Sequence, residues 1–240
     1  MERPPETRPP ETRPTFAVAA FRPALLGLIA TVVGARLVSS LLLNALDVAT
    51  EVYIVVFYAM VFGGIWLTCL AVSTRYGTGK PFADFGVSWR WGDLWRGGAL
   101  FLLSRIAQVV VLLPFAGHLD RLRRFTEGLQ DVSSVSFVLF AIAAVVCAPI
   151  FEELMFRGVL QRSLASGVGQ VWAIVIQGVL FGMYHLTPGL GATNVPYVLA
   201  LMSAGWVLGW GAWLWRRLGP SSTAHFFVNA TSVVVLFSYR

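Results

Sequence analysis

Seven long apolar runs constrain this chain more than any other feature. They cover about residues 24–46, 52–72, 99–113, 134–164, 169–186, 195–215 and 222–239. A helix of about 20 apolar residues spans the roughly 30 Å of a bilayer's hydrocarbon. The runs do not alternate apolar and polar residues, which argues against the strands of a membrane barrel. Only 12% of the residues are charged, about half the share in soluble domains. The expected fold is therefore all-α: a polytopic integral membrane bundle of seven to eight transmembrane helices. The stretch 80–98 or 152–165 would supply the eighth crossing. Residues 1–22 read as a disordered, proline-rich polar tail, since ETRP recurs at 6 and 11 and repeated proline favours extended chain. Residues 23–240 read as one transmembrane domain.

The net charge of +6 comes mainly from arginine, and Lys80 is the sole lysine. These charges sit between apolar runs, so lipid headgroups explain them better than nucleic acid does. Trp89, Trp91, Trp95, Trp213 and Trp215 lie near run ends, where interface anchors belong. Arg3, Arg8, Arg13, Arg22, Arg75, Lys80, Arg90, Arg96, Arg162, Arg216 and Arg217 share one side if each run is a simple crossing. That side is expected to be cytoplasmic, giving a multi-pass cell-membrane protein with its N-terminus inside. Arg121, Arg123 and Arg124 fall on the opposite side and conflict with this count. Cys69 and Cys147 lie within apolar runs, which suits small packing residues and not a disulfide framework.

Charged residues inside such runs need a reason. The segment APIFEELMFRG, 148–158, places Glu152, Glu153 and Arg157 beside SFVLFAIAAVVC. Glu153 and Arg157 are four apart, so they share a helix face and offset one another's desolvation. Glu152 points about 100° away and has no partner at that spacing. His185 follows Phe181 by four, and Asn229 follows His225 by four. Glu152 and His185 come out about 21 and about 28 Å from a turn near Ser166, close enough to meet. His225 does not: a plain crossing over 195–215 leaves it on the turn side, away from His185. Gly205, Gly209 and Gly211 offer either close packing or a break in that helix. Arg36 and Arg105 either snorkel to an interface or line the same cavity.

A carboxylate with two histidines suits water activation. Glu152 would take a proton from water, with His185 sharing it. His225 and Asn229 would stabilise the oxyanion. No cofactor or metal is needed for that scheme. The rival is a zinc site with Glu152, His185 and His225 as ligands, but no HExxH occurs. No GxSxG occurs either. A proton-coupled transporter would show inverted repeats, and none is evident.

The pieces EELMFR (152–157), FGMYH (181–185) and HFFVN (225–229) match, in order, the EExxxR, FxxxH and HxxxN motifs of the CPBP family. FRG at 156–158 is also typical of it. The chain thus resembles the intramembrane glutamate proteases that include CAAX prenyl endopeptidases and bacterial Abi proteins, over about 130–235. The resemblance implies a metal-independent endopeptidase. Glu152, His185, His225 and Asn229 take the catalytic positions, and Glu153, Arg157 and Phe181 support them. The implied partners are the bilayer and a peptide or protein substrate. A prenylated substrate does not follow for this chain. A non-catalytic scaffold or bacteriocin-immunity protein with the same fold is the alternative. Oligomeric state is not legible.

Overall fold

The computed structural model describes residues 18–45, 48–118 and 133–238. The proline-rich residues 1–17 and the arginines at 121, 123 and 124 lie outside them. The described residues contain helices and no strand. After a 3-10 turn at Val18–Ala20, α1 covers Phe21–Ala45 and α2 covers Thr50–Tyr76. A short interfacial α3, Pro81–Asp84, precedes α4, Asp93–Leu112. A continuous helical rod, α5, runs from Ser134 to Val168. It is followed by α6, Gln170–Tyr184, α7, Asn194–Trp215, and α8, Gly219–Ser238.

Every apolar run expected from the sequence is helical. Among the described residues, five spans are long and apolar enough to cross a membrane: Val18–Leu42, Thr50–Tyr76, Asp93–Ala116, Ser134–Val168 and Gly189–Trp215. The expected seven to eight differ from these for identifiable reasons. The helix α6 has 15 residues, about 22 Å at 1.5 Å each. Helix α8 opens on GPSSTAH, which is polar. Residues 152–165 are no separate crossing, because they continue α5. Residues 80–98 hold only α3 and the start of α4.

Helix α7 packs against α6, α4 and α8, while α1 packs against α2. Glycine sets the α6–α7 distance: a Cβ on Gly205 would lie 3.0 Å from the Gly178 Cα. Such small-residue contacts replace the hydrophobic drive that lipid cannot supply. Helix α7 is continuous, so its glycines serve close packing and not a break.

At the end of the bundle where α4 starts and α7 finishes, Arg217 grips Asp93. Its Nη2 donates to Oδ1 at 2.5 Å and its Nη1 donates to Oδ2. Asp93 is 0% exposed and Arg217 5%. Arg217 is thus a buried clasp, not the free surface cation the sequence suggested. The nearby Asp84 carboxyl is raised by burial, but hydrogen bonds from Ser73 and Thr78 outweigh this and hold it below its ordinary pKa. Trp91 and Trp95 remain exposed, as interface anchors should. Arg105 does not snorkel. It joins α4 to α8 by donating to the Val228 carbonyl at 2.5 Å and to Ser232 Oγ at 3.1 Å.

Asp93→Ala strands the Arg217 charge in a buried place. It should lower unfolding stability in detergent by about 3–5 kcal/mol, measured as a fall in thermal midpoint against wild type.

Candidate active site

Helix α5 carries the acidic residues, and its start is well defined. Ser133 Oγ accepts from Ser136 N at 3.1 Å, an N-cap. Further along, the rod departs twice from α-helical bonding. Ala143–Cys147 is π-helical, with Ala148 N donating to Ala143 O, and so is Leu154–Leu160, with Gln161 N donating to Phe156 O. Wide turns of this kind collect at functional sites. Here they flank Glu152 and Glu153 on both sides.

Glu152 is 5% exposed and Glu153 is 0%. Arg157 Nη1 lies 2.9 Å from Glu153 Oε1, the pair expected from four-residue spacing. The guanidinium also stacks over the Phe181 ring at 4.4 Å and donates from Nη2 to Gly205 O at 3.3 Å. One turn on, Gln161 Nε2 donates to Gly209 O at 2.9 Å. Glycine at both α7 positions leaves these carbonyls open to side chains. A Cβ on Gly209 would meet Gln177 Nε2 at 2.3 Å and Gln161 Oε1 at 2.8 Å.

His185 is the first residue after α6. Its backbone N–H is spent on Gly182 O, so the Phe181 carbonyl lacks its usual helical donor. His185 Nδ1 fills that role at 2.8 Å. Since a carbonyl only accepts, Nδ1 carries the proton. Nε2 then faces Glu152 Oε2 at 3.9 Å. His225 is ordered the same way. Its Nδ1 sits 3.1 Å from Glu153 Oε1, and its Nε2 sits 3.7 Å from Glu152 Oε2. Both rings thus turn Nε2 toward the same carboxylate oxygen. Glu152 Oε2 has no hydrogen-bond partner among the described residues. The Phe181 ring joins the group, 4.8 Å from the His185 ring and 5.7 Å from that of His225.

The structure brings Glu152, Glu153, Arg157, Phe181, His185 and His225 together. His225 arrives for a reason hidden in the sequence. Helix α5 continues well beyond the level at which α8 starts: a Cβ on Gly158 would lie 3.6 Å from Leu218 Cδ1. From that level Glu153 is about 8 Å back along α5 and His225 about 10 Å along α8. The turn near Ser166 was the wrong reference point. Asn229 is one turn further along α8, and its Nδ2 donates to Ala144 O at 2.7 Å.

Three tyrosines also lie within electrostatic reach of Glu152: Tyr58 of α2, Tyr184 of α6 and Tyr197 of α7. Tyr184 stands edge-on to His185, ring centres 4.8 Å apart. Sequence reasoning missed them, because tyrosines 126 and 13 residues apart share no periodicity. Arg36 reaches the same region and donates to Leu186 O at 2.6 Å, next to His185. Among the described residues, no group of three or more His, Cys, Asp and Glu side chains is arranged to hold a metal ion.

A family model for the type II CAAX prenyl endopeptidase Rce1-like family matches residues 134–231. The matched segment is similar to that family, which is consistent with the CPBP family. It covers α5 to α8 up to Thr231, and with them every residue of the cluster. Neither a curated protein nor a solved structure matches the chain.

Arg157→Met leaves Glu153 buried without its cation and should cost about 3–5 kcal/mol of stability. Adding Glu153→Leu should restore most of that loss. The pair is read by comparing thermal unfolding of both single variants with the double variant.

Proposed function

We propose that this protein is an intramembrane endopeptidase in which Glu152 activates water and no metal takes part. One observation carries the reading: an unpartnered carboxylate oxygen faces two histidine Nε2 atoms at 3.7 and 3.9 Å. Such gaps are too long for direct hydrogen bonds and suit a shared water. The water donates one proton toward Glu152 and the other toward His185 Nε2. As its oxygen attacks the peptide carbonyl carbon, Glu152 takes the proton. The C=O electron pair moves onto oxygen. His225, protonated, donates from Nε2 to that oxyanion. Glu153 pairs with this ring at Nδ1, and Arg157 pairs with Glu153 in turn. When the C–N bond breaks, Glu152 returns its proton to the leaving amine. The products are a free carboxylic acid and a free amine.

The substrate is a peptide or protein held at the membrane. An apolar groove between α2 and α5, lined by Val55, Tyr58, Phe62, Ile142, Ala143 and Cys147, supports entry from the lipid side. In the proposed arrangement α6 and α8 complete a seven-helix bundle in the cell membrane, with the N-terminus cytoplasmic.

The test is peptide cleavage in liposomes, with farnesylated CAAX peptides and an unprenylated library. Glu152→Gln and His225→Ala should each lower turnover about 10²–10⁴-fold, and a chelator should change nothing. Chelator loss restored by zinc would replace this scheme with a metal site on Glu152, His185 and His225. Cleavage retained by Glu152→Gln would overturn the assignment, and a biological activity surviving that change would point to a scaffold.

A further inference from the structure

The Ala144 carbonyl has lost its backbone partners. In an α-helix it would accept from Ala148 N, but that N–H donates to Ala143 O instead. In a π-turn it would accept from residue 149, which is proline and has no N–H. A carbonyl left so is expensive where no water competes for it. It is met from another helix: Asn229 Nδ2 donates to Ala144 O at 2.7 Å. The π-turn thus closes only through α8.

We infer that Asn229 is a positioning residue, its side-chain amide standing in for the backbone donor that Pro149 removes, so that the π-turn before Glu152 keeps its shape. Three features support this. Pro149 is buried and sits three residues before Glu152. The bond to Ala144 joins α8 to α5 one turn above His225 on α8, so it fixes the spacing between the two halves of the cluster. The next carbonyl back along α8, Val228 O, is itself held by Arg105 from α4. Asn229 is therefore anchored behind, and one of its two amide N–H groups is committed in front. The amide's grip on Ala144 O is a separate duty from the oxyanion role expected for His225 and Asn229, and it uses only one of the two amide N–H groups. The inference deepens the reading of Glu152 as the water-activating group and rests on it for its functional part.

The experiment is a double-mutant cycle with Asn229→Ala and Pro149→Ala, reading thermal midpoint in detergent and peptide turnover in liposomes. Alanine at 149 supplies the N–H that Ala144 O lacks. On the wild-type background, Asn229→Ala should lower the midpoint by about 2–8 °C and reduce turnover. On the Pro149→Ala background both losses should shrink to half or less. Equal losses on both backgrounds would overturn the inference. So would a loss of turnover with an unchanged midpoint, which is what an oxyanion role predicts. Asn229→Leu provides a second route if Pro149→Ala does not fold. Leucine keeps the volume but cannot donate, so it should lower the midpoint as alanine does; an unchanged midpoint refutes the clasp. The midpoint arm decides even if no peptide is cleaved, so failure of the protease reading stays separate.

Discussion

A carboxylate and a guanidinium cannot be buried singly among apolar helices, and Glu153 with Arg157 is where this chain meets that constraint. The 2.9 Å contact between them neutralises both. Neither group is satisfied by one partner, so each recruits others. Arg157 takes the Phe181 face and the Gly205 carbonyl, which demands glycine on α7. Glu153 takes Nδ1 of His225, which fixes the face that this ring shows to Glu152. The close approach of α6 and α7, the ring orientation and the unpartnered Glu152 oxygen all follow from one pair that had to be compensated.

Regular helix would not serve this arrangement. Between Ser134 and Val168 the rod contains two π-helical stretches, and each shifts the residues after it around the axis. The cost appears as backbone groups without ordinary partners. The Ala144 carbonyl is the clearest, and it is satisfied by a side chain 85 residues away. Local irregularity in α5 is thereby tied to tertiary contact with α8.

What was legible in the sequence depended on periodicity. The Glu153–Arg157 spacing, the Phe181–His185 face and the three motifs all lie within single helices, and four-residue spacing reveals them. Seven apolar runs likewise mark seven helices. Long-range geometry was not legible. His225 seemed misplaced because the overrun of α5 past the start of α8 leaves no trace in hydropathy. Arg217 counted as a surface charge because Asp93, its partner, is 124 residues distant. Arg105 looked like a snorkelling candidate because the carbonyl it holds belongs to α8. The tyrosines around Glu152 come from three helices and share no pattern.

The π-helical stretch at Ala143–Cys147 also makes chain length part of the chemistry. A π-turn is an α-helix that has absorbed an extra residue. Losing one residue between Ser134 and Ala148 would let the rod revert to regular winding. Everything downstream would then keep its facing, whereas straightening the turn with the residue kept would rotate it by about 100° relative to the first half of the helix. Glu152 and Glu153 would turn toward different neighbours while hydropathy, composition and all three motifs stayed the same. Two chains could therefore carry identical signature residues and differ in whether those residues ever meet, with no gap in their alignment to show it.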